Sequence, residues 1–361
     1  MGAKSNRNAL DFLKFIFVVL IVLFHSRMMT SYQENRIVIN GGAGVEFFFI
    51  VSGCLMCASA TRSAEENIGL DTYCFMKKKV ARLMPNFIIA FGLAFVVFHY
   101  NAGINDWSKL GIDIIKSLPD LLMIKNSGIR LPSYNGPTWY ISSMLLNMLV
   151  LYPLIRKFKD SFYIIALATM LFILGGFWQT YGTLSNLEDW NGWILKGTIR
   201  GTAGLCAGCL CYKAGMALGK NKWTAFGKTI LMTIEWACYI ATIILCCKYP
   251  SSRMDYLIFF LFMIGVTITW SNTSFDEILF RPRIFSWLGS FSFSLYLSHS
   301  PWREFISNIY PQEWGFKQRL IVYLVAAVWS GLFVHYLSVF FRALKVKYGG
   351  KVKALFIVPT K

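Results

Sequence analysis

The sequence predicts an all-α fold, a polytopic transmembrane bundle of about ten helices. Three observations predict it. Of 361 residues, 56% are hydrophobic and only 15% charged, with a mean hydropathy of +0.50; a soluble domain of this size carries more charge. Apolar runs of roughly 17–25 residues, the length that crosses a bilayer, recur along the whole chain. Lys and Arg gather in the short segments between those runs, as membrane topology requires. The net charge of +18 would point to nucleic acid in a soluble protein. Here no stretch is left over for a basic domain, and no nucleic-acid partner is expected.

The expected spans are roughly 12–26, 43–60, 86–100, 138–155, 162–178, 195–212, 230–247, 256–270, 288–302 and 320–341, in one integral membrane domain over 1–361. The first run lacks a small-residue cleavage site and leads on to a second near residue 43, so it reads as a membrane helix rather than a cleavable signal. The third is preceded by the basic stretch CFMKKKVARLMP, residues 74–85. The loop 101–137, with Gly, Pro, Asn and Trp107, is expected to hold a short interfacial helix. The sixth, around GTIRGTAGLCAGCL, is rich in small residues that permit close helix packing. With the N-terminus inside, inside segments hold 22 Lys/Arg and outside segments of nearly equal total length hold 12. This excess predicts both termini in the cytoplasm and a multi-pass protein of the inner (cytoplasmic) membrane.

Nine cysteines are present, and Cys54/Cys57 and Cys206/Cys209 have C-x-x-C spacing. Their neighbours are Leu, Met, Ala and Gly within apolar helices, not a polar loop. Buried, reduced packing is the expectation, with no metal.

The ionisable residues inside spans carry the chemistry, because charge in hydrocarbon is costly. Lys14 and His25 lie eleven residues apart on the first helix. They share one face and are separated by about 16 Å along the axis. The plain alternative is that each snorkels to its own headgroup layer. Glu46 begins the second helix near the outer end, at a depth like that of His25. A carboxylate there can orient an imidazole and stabilise its protonated form, making a general base; as a helix-terminal acid it would also suit the dipole. His299, near the outer end of the ninth span, falls in the same layer. His99 and His335 read as structural. On the inner side Lys77, Lys78, Lys79 and Arg82 form a basic group, with Lys79 and Arg82 one turn apart. It could hold phosphates or only anchor the helix. Arg200, mid-span among small residues, is expected to face a polar cavity.

These motifs resemble the membrane-bound acyltransferase-3 family, which includes O-acetyltransferases of surface glycans. Leu10, Asp11, Leu13, Lys14 and His25 are similar to the family's L-D-x-L-[RK] opening with a later His. GVEFFFIVSGCL (44–55), VARLMP (80–85), PTWYISSMLLNMLVLYPL (137–154) and LGSFSFSLYLSH (288–299) resemble four further family segments in the same order. Two departures stand out. Lys14 replaces the more usual Arg, and Ser142, Ser143 and Met144 occupy a region where many members carry a Glu pair. Some members carry a fused extracytoplasmic esterase-like domain, and this sequence looks like a stand-alone version.

The resemblance implies a cytoplasmic acyl-CoA, usually acetyl-CoA, as co-substrate. It implies a glycan or lipid-linked glycan acceptor on the outer side, with membrane lipid around the protein. On that expectation Lys14, Lys79, Arg82 and Arg200 would attend the acyl donor, and His25 would act as base with Glu46 behind it. Ser52, Ser142, Arg200 and His299 are alternative oxyanion donors, and Trp139 and Tyr134 could stack on a sugar. An exporter of glycan or lipid is the alternative from another functional class. The acceptor sugar and the oligomeric state are not written in the sequence.

Overall fold

The computed structural model describes residues 7–29, 37–101, 103, 107–125, 127, 134–185, 190–191, 194–309 and 314–355. A long helix falls on each expected span: α1 (Arg7–His25), α2 (Gly44–Arg62), α3 (Ile68–Asn101), α6 (Thr138–Phe158), α7 (Phe162–Thr180), α8 (Lys196–Leu218), α9 (Ala225–Lys248), α10 (Met254–Ser271), α12 (Arg283–Ser298) and α14 (Phe316–Leu355). Shorter helices lie between them: α4 (Trp107–Lys116), α5 (Leu118–Leu121), α11 (Asp276–Leu279) and α13 (Ser300–Ile309). A short helix does lie in the long loop, as α4. One small antiparallel ladder pairs Trp190–Asn191 with Ile194–Leu195.

Seven stretches are long and apolar enough to cross a membrane by length and composition: Asn8–His25, Gly41–Arg62, Ile68–Asn101, Thr138–Thr180, Ala225–Lys248, Met254–Ser271 and Phe316–Leu344. Thr138–Thr180 holds both α6 and α7, joined at Lys159–Ser161. The helices on expected spans 195–212 and 288–302 are outside this set. The first is diluted by Gly, Thr, Lys196 and Arg200, and the second, α12, has only 16 residues. Apolar side chains point outward on α7 (Ile164, Leu171, Phe172), α9 (Ile234, Ile240) and α14 (Trp329, Phe333, Phe340). Such faces are stable against lipid and unfavourable against water.

Two helix pairs position the site. In the first, Asp11 of α1 meets Gly289 of α12, where a Cβ would fall 2.3 Å from that of Asp11. Further along, Phe15 faces Phe291, and His25 faces His299. The order of contacts rises on both helices, so α1 and α12 run parallel. In the second pair, Glu46, Gly53 and Thr61 of α2 meet Arg200, Leu205 and Tyr212 of α8 in that order. These helices too run parallel. A Cβ on Gly53 would stand 2.2 Å from the Leu205 carbonyl oxygen, and one on Gly208 would stand 2.1 Å from that of Ile50. Only glycine permits this approach, and the small-residue pattern of α8 is used as expected. Cys54 and Cys209 lie in the same seam, bonded to the Gly208 and Gly53 carbonyls.

The ninth span does not continue to residue 302. It breaks at His299, because Pro301 has no N–H to give to the Leu297 carbonyl. That carbonyl instead accepts from Asn135 Nδ2 at 2.9 Å. The chain turns at His299 and resumes as α13.

Candidate active site

The C-terminal end of α1 carries His25, which is partly exposed. Its Nδ1 lies 3.0 Å from Nε2 of His299. His299 is wholly enclosed, and its Nδ1 lies 3.2 Å from the Leu295 carbonyl oxygen one turn back on α12. The two rings are 5.0 Å apart between centroids. Arg303, four residues beyond His299 on α13, pairs with Glu304 at 2.7 Å, and its charge acts on both rings. The position of α1 is held from the other side by Tyr323 of α14, whose hydroxyl donates to the Val22 carbonyl at 3.2 Å.

Glu46 is not the partner of His25. Its carboxylate forms an ion pair with Nε of Arg200, with the side chains 1% and 4% exposed. The physical reason is the parallel packing of α2 on α8. It delivers a permanent cation to a buried carboxylate, a stronger partner than a neutral ring. A terminal nitrogen of Arg200 also donates to the Gly42 carbonyl at 3.3 Å. The turn carrying Gly41 and Gly42 packs against Leu20 and Phe24 of α1. The charge of Arg200 is thus matched within the bundle. The indole of Trp139 lies 5.9 Å from the Arg200 guanidinium and against Phe49.

The serine candidates are enclosed. Ser52 Oγ and the Tyr140 hydroxyl share a bond of 3.1 Å, and Ser142 has no exposed surface. Tyr134 packs edge-on against Phe95 and Phe98. His99 donates through Nδ1 to the Phe95 carbonyl at 2.8 Å and meets Asp113 of α4 at 3.2 Å, which ties α4 to α3. His335 meets the stacked rings of Trp287 and Phe291 at a steep angle.

The other end of α1 is basic. Lys14 Nζ is 2.8 Å from Asp11 Oδ1. Half-buried Lys79 is faced by the charges of Arg82 and Lys14, so three predicted cations converge from α1 and α3. Lys77 and Lys78 are exposed. Arg342 of α14 joins this end by donating to the Arg82 carbonyl at 3.4 Å and to the side chain of Asn86. Asn86 in turn donates to Ser294 of α12 at 2.6 Å.

Sequence reasoning missed Arg303 and Arg342. The four-residue step from His299 to Arg303 was a usable signal for the first. Nothing local marks Arg342, which is brought in by the packing of α14 on α3. Cations thus gather at one end of α1 and an imidazole pair at the other. The family model described as an acyltransferase domain matches residues 7–340. No curated relative and no solved structure matches the chain. The match spans nearly the whole sequence and includes both ends of α1, and the chain belongs to the acyltransferase-3 family.

Proposed function

We propose that this protein is a membrane O-acyltransferase. It takes an acyl group, acetyl by the habit of the family, from cytoplasmic acyl-CoA and places it on a hydroxyl of an extracytoplasmic glycan or its lipid-linked precursor. The ten long helices cross the inner membrane with both termini in the cytoplasm, so the basic end of α1 faces the cytoplasm and His25 faces outward. The single observation that carries this reading is the partly open His25 ring at one end of α1 and the Lys14, Lys79 and Arg82 cations at the other.

The cations hold the phosphates of the donor, and the acyl arm follows α1 toward His25 over about 16 Å. His25 removes the proton of the acceptor hydroxyl as that oxygen attacks the thioester carbonyl. The C–O bond forms, the C–S bond breaks, and the departing sulfur takes the proton back from His25. Arg303 stabilises the negative charge that develops on the carbonyl oxygen. Glu46 and Arg200 act together, as a fixed ion pair that shapes the layer beside the base. Trp139 and Tyr134 line the acceptor side.

The test is acyl-CoA consumption together with mass spectrometry of the surface glycan, in cells carrying wild-type or His25→Ala protein at matched membrane levels. Removing a general base costs about 10²–10⁴-fold in rate. The glycan is expected to lose its acyl mass in the variant while glycan export is unchanged. Persisting acylation with reduced export would overturn the reading in favour of transport.

A further inference from the structure

We propose that His299 is a positioning residue that fixes the proton of His25 on Nδ1 and leaves Nε2 of His25 bare as the basic atom. This rests on the acyltransferase reading for its consequence, but its geometry stands alone. The Leu295 carbonyl can only accept, so the contact at 3.2 Å puts a proton on His299 Nδ1. A neutral imidazole carries one proton, so His299 Nε2 then holds a lone pair. That lone pair points at His25 Nδ1 from 3.0 Å. The bond between them exists only if His25 Nδ1 is the donor.

The remaining alternative is a doubly protonated His299 donating to His25. It would put a positive charge on a ring with no exposed surface, close to the charge of Arg303. Desolvation and repulsion both oppose that. The neutral arrangement satisfies every nitrogen of the pair except one, and that one is the basic atom the reaction needs.

The division of labour follows from exposure. His25 is partly open, and His299 has none of its surface exposed. His25 therefore meets the substrate, and His299 acts through it. When His25 takes a proton on Nε2, its Nδ1–H is already held by His299, which steadies the cation in place. A carboxylate commonly fills this post behind a catalytic histidine. Here the carboxylate expected from the sequence, Glu46, is committed to Arg200, and a second imidazole occupies the position instead.

The experiment is nitrogen-15 NMR of histidine-labelled full-length protein in nanodiscs, with acetyl-CoA turnover measured on the same membranes. The chain has four His, so the His25→Ala and His299→Leu variants assign the two signals. Wild type should show His25 with a bare Nε2 and a protonated Nδ1. His299→Leu should lose that preference and lower kcat about 10²-fold, the low end for general-base catalysis, with KM for acetyl-CoA unchanged. His299→Gln, which can turn its amide oxygen to His25 Nδ1–H, should restore both the preference and most of the rate. A wild-type His25 protonated on Nε2 overturns the proposal, whether or not the enzyme transfers acyl groups. A bare Nε2 in a protein that turns over no acyl-CoA with any acceptor sinks the acyltransferase reading and leaves the positioning geometry intact. Should the Leu variant fail to fold, the wild-type spectrum and the Gln variant decide the matter.

Discussion

Glu46 and Arg200 show how a buried charge is made tolerable. Each is enclosed, and each would be strongly disfavoured alone in a low-dielectric interior. Breaking such a pair from one side leaves an uncompensated ion and costs about 3–5 kcal/mol, whereas replacing both partners by apolar groups is often neutral. Glu46→Ala and Arg200→Ala should therefore each lower the unfolding midpoint of the purified protein sharply, and Glu46→Leu/Arg200→Leu should recover much of it. Turnover per folded molecule distinguishes this role from direct support of His25. If Glu46→Gln keeps full stability yet slows the chemical step, the carboxylate acts on His25 after all. The expectation of a Glu46–His25 pair failed for a residue-level reason. Depth along two helices was legible in the sequence, but depth is one coordinate of three. The rotation of α2 about its axis turns Glu46 toward α8, and only packing reveals that.

The α2–α8 seam is the clearest case of an element written in its sequence. Gly201, Gly204 and Gly208 fall at helical spacing on one face of α8, and Gly53 answers from α2. A side chain at Gly208 would collide with the Ile50 carbonyl and the Cys54 nitrogen, which are backbone atoms that cannot step aside. Overpacking usually costs about 1–3 kcal/mol and can cost more. Gly208→Leu should separate the helices, expose the seam cysteines to thiol reagents and misplace Arg200. A variant that folds normally and keeps Cys54 and Cys209 unreactive would contradict this account. Other features of the elements were legible for the same reason, since long apolar runs and the basic stretch in the first half of α3 are local signals. The break at His299 was legible too, had Pro301 been weighed against the apolar pattern that runs past it. What was not legible is adjacency. The meetings of α1 with α12 and of α3 with α14 join residues more than two hundred positions apart, and no local pattern specifies them. The His25–His299 bond and the arrival of Arg342 both depend on those meetings.

At the scale of the whole molecule, α1 is shared by two clusters of ionisable side chains, which the proposed reaction uses as two sites. Its basic end collects Lys79 and Arg82 from α3, and Arg342 arrives there from α14; its C-terminal end collects His299 from α12. Binding of the donor and transfer of the acyl group should therefore respond to different substitutions, and kinetics can separate them. A hydrogen bond to a charged group contributes about 1.5–3 kcal/mol, which corresponds to about 10- to 150-fold in affinity. Lys79→Ala and Arg82→Ala should raise KM for acetyl-CoA within that range while kcat falls little, and the effect should shrink as salt screens the phosphates. His25→Ala should do the reverse. A substrate lacking the 3′-phosphate sharpens the test. If the cations read that phosphate, its removal raises KM in wild type but adds nothing further in the variant that has lost its partner. If phosphate removal and cation removal instead multiply, the two do not touch. The basic end of α1 then serves only to anchor the helix at the cytoplasmic surface.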